Sequence, residues 1–229
     1  MGTIVGMTRR SYGQFCGLAH ALDVVGERWT LLIVRELCSG AKRYGELADS
    51  LTGIGTSLLA TRMRQLEADG VIQRRLDRDL PGSAVVYELS EPGRELAEAM
   101  VPLAMWGARH QMTRADADNE SFRAEWLLNF LAVDVREDLP EGLAAVYEFH
   151  IDDSVASLRV HDGRVSVRPG PSATPSNVTV RASATTVAAI VGQKTTLQDA
   201  MSSGRMEVTG DAPAIELLVS AIEKRLPLS

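Results

Sequence analysis

The spacing of apolar and polar positions along this chain changes several times, and each change marks an element. Residues 16–25, CGLAHALDVV, put Leu18, Leu22 and Val25 at helical spacing. Residues 29–38, WTLLIVRELC, are apolar on several sides, which predicts a buried central helix. SGAKRY reads as a turn, and YGELADSL as a short helix with Leu47 and Leu51 on one face. TGIG is a second turn, in which Gly53 and Gly55 allow unusual backbone angles. Thr56 is placed to cap a helix that runs to about Asp69 and stops at Gly70. VIQRRL and AVVYELS are strand-like runs, and the Pro-Gly of DRDLPGS between them predicts a turn. A last helix is expected from Pro92 to about His110, with Leu96, Met100, Leu103 and Trp106 inward. Pro92 suits its first turn, and Pro102 inside it predicts a kink.

Helix, helix, short helix, turn, helix, hairpin and long helix is the layout of a winged helix-turn-helix. TRADADNE, residues 113–120, is polar, acidic and aperiodic, and reads as a linker between units 1–112 and 121–229. The second unit opens with an apolar helix in which Phe122, Trp126 and Phe130 are four apart. The strand runs LAAVYEFHI, SVASLRVH and RVSVR follow, the last two joined by an Asp162-Gly163 hairpin turn. VTVRA is another strand, Ser183 is placed to cap the helix ATTVAAIVG, and LQDAMSSG is a second short helix. RMEVTGD is a strand and turn, and APAIELLVSAIEKRL a closing helix. This predicts an α+β unit: a mainly antiparallel sheet with helices gathered on one face.

Charge changes the picture. The net charge of the 229 residues is −6, which argues against non-specific nucleic-acid binding. Residues 1–112 balance, however, so the whole deficit falls in 113–229. Basic residues of the first half gather at Lys42 and Arg43, at Arg62 and Arg64, and at Arg74, Arg75 and Arg78. A modest basic face on a neutral domain suits a specific DNA binder with few phosphate contacts. No apolar run spans a membrane, and MGTIVGMTRRSYGQF lacks the apolar stretch of a signal peptide, so a cytoplasmic protein is expected.

The 56–69 helix carries the candidate chemistry. Leu59, Met63 and Leu66 form its inward stripe, which leaves Ser57, Thr61 and Arg64 on the opposite face and Arg62 at the edge. Hydroxyls near a helix start reach phosphates or base edges, and Arg takes guanine bidentately. Thr56, Ser57, Thr61 and Arg64 are therefore the candidate groove residues. Arg62, Lys42 and Arg43 are candidate backbone contacts, and Arg74, Arg75 and Arg78 belong to a wing.

The run from CGLAHALDVVGERWTLLIVREL through YGELADSL to RMRQLEADGVIQRR resembles the HxlR family of bacterial winged helix-turn-helix regulators over residues 16–110. Gly17 and Thr56 stand where that family usually has proline. The resemblance implies a homodimer, built largely through the first and last helices of this unit, on a pseudo-palindromic double-stranded operator. It also offers Cys16 as a redox- or electrophile-sensing residue, since a thiol at a helix start is shifted towards thiolate. The alternative for Cys16 is a small buried apolar residue, and Cys38 is expected to be buried. Cys16 and His20 lack further ligands at metal spacing, so no metal and no cofactor is expected. Hydrolase, metalloprotease, P-loop and dinucleotide fingerprints are missing too, so an enzyme is not expected.

In the second half, NVTVRASATTVAAIVGQKTTLQDAMSSGRMEVTGDAPAIELLVSAI looks like the end of a sterol-carrier-protein-like domain. That resemblance implies a cavity between sheet and helices for an apolar small molecule. The residues expected to line it are Trp126, Phe130, Tyr147, Phe149, Ile190, Leu197 and Met201; the competing reading is that they are ordinary core. The expected protein is thus a dimeric DNA-binding regulator with an α+β sensory unit. The rival is a lipid-like ligand carrier with a vestigial helix-turn-helix.

Overall fold

Leu59, Met63 and Leu66 are buried together with Ile33, Val34 and Leu37, Leu47 and Leu51, and this apolar set is the core around which the first half folds. The computed structural model describes residues 11–77, 84–112, 120–135 and 143–225. Its first half runs α1 (Gly17–Val25), α2 (Thr30–Cys38), β1 (Lys42–Arg43), α3 (Tyr44–Ser50), α4 (Thr56–Ala68), β2 (Ile72–Asp77), β3 (Ala84–Leu89) and α5 (Glu91–His110). β1, read as a turn from sequence, pairs antiparallel with β3 through Lys42–Tyr87 and Arg43–Val86, so the wing is a three-stranded sheet of order β1-β3-β2. Two residues are too few to show a period, which is why the strand was not legible.

Three local devices set the helix positions. Ser90 caps α5, accepting from the Gly93 N–H at 3.1 Å. Gly93 lies so close to the Val71 carbonyl that any Cβ would collide with it, which locks α5 against the start of the wing. Gly53, at φ +94°, turns the chain between α3 and α4 beneath the Trp29 ring. α5 runs through Pro102 as one helix. Leu103 and Trp106, expected inward, are 53% and 49% exposed, and Leu18 of α1 is 69% exposed.

The second half runs α6 (Ala124–Val135), β4 (Ala145–Ile151), β5 (Ser154–His161), β6 (Arg164–Pro169), β7 (Val178–Ala182), α7 (Ala184–Val191), α8 (Leu197–Ser202), β8 (Met206–Gly210) and α9 (Ala212–Arg225). Its five-stranded sheet has the order β6-β5-β4-β7-β8, antiparallel except for the β4–β7 pair. Asp162 and Gly163 both take positive φ in the β5–β6 turn, as that dipeptide predicts. On β4, Ala145, Tyr147, Phe149 and Ile151 alternate into a core completed by residues of α6, α7, α8 and α9.

Helix α6 serves both halves. Ala124, Leu128 and Ala132 join the sheet core, whereas Phe130 packs against the core of the first half. Asn129, fully buried, donates from Nδ2 to the Arg35 carbonyl at 3.1 Å. The Arg35 guanidinium lies 4.0 Å from the centroid of the Trp126 ring. Among the described residues no helix is long and apolar enough to cross a membrane.

Candidate DNA-binding face and apolar spaces

The buried stripe of α4 turns its other face outward. Thr56, Ser57 and Arg64 are exposed and Thr61 is half-buried. Gly55, not Thr56, occupies the N-cap position, and no side chain caps the helix. Its first N–H groups and the positive end of its dipole are therefore available to an anion. Thr61 Oγ1 donates to the Ser57 carbonyl at 2.9 Å and receives Arg64 Nη2 at 3.2 Å, which lays the guanidinium along the exposed face. Arg64 makes no ion pair among the described residues.

Sequence reasoning did not single out Tyr44 or Glu27. Tyr44 Oη donates to the Thr56 carbonyl at 2.8 Å, tying the start of α3 to the start of α4. Glu27 holds Arg62 Nη2 at 2.6 Å while Gln65 takes Arg62 Nη1 at 2.6 Å. Arg62 is only 14% exposed in consequence. It departs from the expected phosphate contact: its charge is spent on fastening α4 to the loop before α2. Tyr44 directly follows the basic Lys42–Arg43 pair, and that adjacency was the one available signal for it.

The basic wing is also partly neutralised. Arg75 pairs with Glu88 at 3.0 Å and with Asp77 at 3.2 Å, and Glu88 holds its guanidinium pKa above the ordinary value. Arg74 pairs with Glu67 at 3.2 Å. Both arginines are exposed, and Lys42 and Arg43 on β1 are half-buried on the far side of β3 from them. Arg78 lies outside the described residues.

Cys16 is exposed, which sets aside the buried reading, and Cys38 is buried. Cys16 stands at the N-cap of α1. The backbone N–H groups of Ala19 and Leu18 favour its thiolate and lower its pKa from the ordinary thiol value. They form no cap bond to the neutral thiol.

The residues expected to line one apolar cavity divide among three places. Phe149, Ile190 and Leu197 line a small apolar pocket of about 70 Å³ between the sheet and α9, with Leu218, Val219 and Ile222 on the α9 side. Trp126 and Phe130 line instead a groove of about 560 Å³ between α5, α6 and α7. Tyr147 and Met201 line neither. Tyr147 is buried, which pushes its phenol pKa up, and its Oη has no partner among the described residues. Met201 packs at the edge of the sheet core. Trp126 and Phe130 lie on the side of α6 that faces the first half, and sequence spacing does not say which neighbour a helix face meets.

The HxlR-like helix-turn-helix family profile matches residues 24–115, and that of the alkyl sulfatase C-terminal family matches residues 114–227. The second half is thus α+β and similar to that C-terminal family. The HTH-type transcriptional regulator sll1512 of Synechocystis sp. is 35% identical over 96 residues, covering 42% of this chain and 70% of its own. The HTH-type transcriptional regulator YtcD of Bacillus subtilis is 40% identical over 108 residues, covering 47% of this chain and 84% of its own. A crystal structure of the HTH-type regulator ytcD shares 38% identity, covers 42% of this chain and 96% of that one, and has a TM-score of 0.39. By its match to most of the length of these regulators, the chain belongs to the HxlR-like helix-turn-helix family of transcriptional regulators.

Proposed function

We propose that the protein is a homodimeric regulator that seats α4 in the major groove of a pseudo-palindromic operator. Residues 1–112 bind DNA and the partner copy, and 121–229 are a sensory unit. One observation carries the reading: Ser57, Thr61 and Arg64 share the outward face of a helix with an uncapped N-terminus, and among the described residues no carboxylate pairs with Arg64. Thr56 and Ser57 meet phosphate or base edges at the helix start, and Arg64 reads a base. Lys42, Arg43, Arg74 and Arg75 hold backbone from the wing, the last two only by giving up acidic partners. Selection from a random duplex pool tests it: a palindromic site should enrich, and the absence of any enriched sequence would refute operator binding.

The exposed position and depressed pKa of Cys16 favour a second reading, oxidation-dependent DNA binding. Diamide should lower operator affinity of the wild type and leave Cys16→Ser unaffected. Equal binding before and after oxidation would remove the idea.

The sterol-carrier-like reading of the second half gains only the apolar lining of the small pocket under α9. An engineered cavity of about 150 Å³ takes up benzene, so a space half that size admits no lipid tail unless α9 moves. This weighs against the carrier alternative.

A further inference from the structure

The larger space lies elsewhere. The groove between α5, α6 and α7 holds about 560 Å³, within the usual range for drug-sized ligands. Its walls have a particular shape. Ala104 and Ala108 line it from α5, and α7 contributes Ala184, Ala188 and Ala189 together with the short side chains of Thr185, Val187 and Val191. Phe122, Trp126 and Phe130 supply the third side. An alanine wall from α5, a wall of short side chains from α7 and an aromatic third side leave room for a flat ring to lie against the aromatic side.

Two polar features bear on what fills it. Trp126 Nε1 is buried without a hydrogen-bond partner among the described residues, a cost that an acceptor on a bound molecule would relieve. Lys194 stands exposed at the rim and makes no ion pair among the described residues, with Glu120 also lining the groove. The groove also touches the machinery of the first half. Trp126 stacks on Arg35, which holds the fully buried Glu36 at 2.8 Å on α2. Phe130 belongs to the core that supports α4.

We propose that this groove is an effector site for a planar aromatic molecule bearing an acidic group, whose rings lie between α5 and α7 and whose anion meets Lys194. The inference rests on the sensory reading of the second half, but places the ligand between the units rather than under the sheet. A molecule lodged there touches α5, α6 and α7 at once, so it stabilises the geometry of α5 in which those walls are the right distance apart.

Anilinonaphthalene sulfonate, flat, aromatic and anionic, is the probe. The full-length protein should bind it saturably, with one site per chain, as read by fluorescence enhancement. Ala188→Phe, which fills the slot from one wall, should weaken binding by about tenfold or more, the effect of a clash worth roughly 1.4 kcal/mol. Ala104→Phe fills it from the opposite wall and serves if the first variant fails to fold by circular dichroism. Lys194→Ala should weaken binding by about two- to fivefold, in keeping with an exposed ion pair. Leu76→Asp, exposed on β2 of the wing, should leave it unchanged. Absent saturable binding, wild-type affinity in the two phenylalanine variants, or loss in Leu76→Asp alone would overturn the proposal. The readout contains no DNA, so its failure and a failure of operator binding are separate results.

Discussion

Arg62 and Arg64 are two residues apart on one helix, yet the fold gives them opposite surroundings. Arg64 lies along the open face against Thr61, and Arg62 is clasped by Glu27 and Gln65. Arg64→Ala should therefore weaken a selected operator complex by about 1–3 kcal/mol and relax specificity at one base position, as read by gel shift against operator variants. Arg62→Ala should instead cost about 1 kcal/mol of folding stability, measured as a lower urea midpoint. A double cycle with Glu27→Gln should show the coupling, and a purely DNA-side effect of Arg62→Ala would refute this assignment. The stripe of Leu59, Met63 and Leu66 made the buried face of α4 legible, because it is a local property of period. The Glu27 partner was not legible, because it lies 35 positions away in sequence. Cys16 belongs to the same scale. Its lowered pKa increases the thiolate fraction at any pH below the ordinary thiol value, so its alkylation rate should reach half-maximum below the roughly pH 8.5 of a free thiol. Cys38, buried, should stay unlabelled until denaturant is added. A half-maximum at or above the free-thiol value would show that the α1 N–H groups do not act on Cys16.

At the scale of elements, α1 and α5 carry the same lesson. Both read as helices from apolar residues at helical spacing, and for α5 the expected inward side is wrong at Leu103 and Trp106. That spacing did not say what covers them. Met100 is buried in the core of its own chain, whereas Leu103 and Trp106, a turn further on, face outward with Leu18 and Phe15. Exposed large apolar side chains on two helices are what a subunit interface requires. The proposed dimer makes a direct prediction. Trp106→Asp should convert the protein to a monomer in sedimentation equilibrium and abolish cooperative occupation of two half-sites, while leaving the far-UV spectrum of the fold intact. A dimer that survives both this change and Leu103→Asp would place the interface elsewhere. The wing shows the complementary limit: its two long strands were legible from their β-rich runs and the Pro-Gly turn, while β1 exists only through pairing with β3.

At the scale of the whole molecule, the two units are joined by more than a linker. The polar run 113–120 reads as a boundary, but the next helix does not respect it. α6 inserts Ala124, Leu128 and Ala132 into the sheet core and sends Phe130 to the other core. Asn129 adds a buried bond to the Arg35 carbonyl, and the Arg35–Trp126 stack closes the same junction. The sequence marks α6 as a strongly apolar helix, but period alone does not assign each of its sides to a partner. A helix shared in this way couples the stabilities of the two units, because its docking surface on one core is lost when the other unfolds. Phe130→Ala makes that measurable. The side chain is half-buried, so truncation should cost about 2–3 kcal/mol, somewhat less than a fully buried phenylalanine. The loss should appear in the unfolding of the DNA-binding unit, although residue 130 lies outside it in sequence. Hydrogen exchange should report it as faster exchange of amides in α2 and α5, the helices against which α6 packs. Loss of protection confined to β4–β8 would mean that the two cores fold independently, and the groove between them would then have no mechanical route to α4.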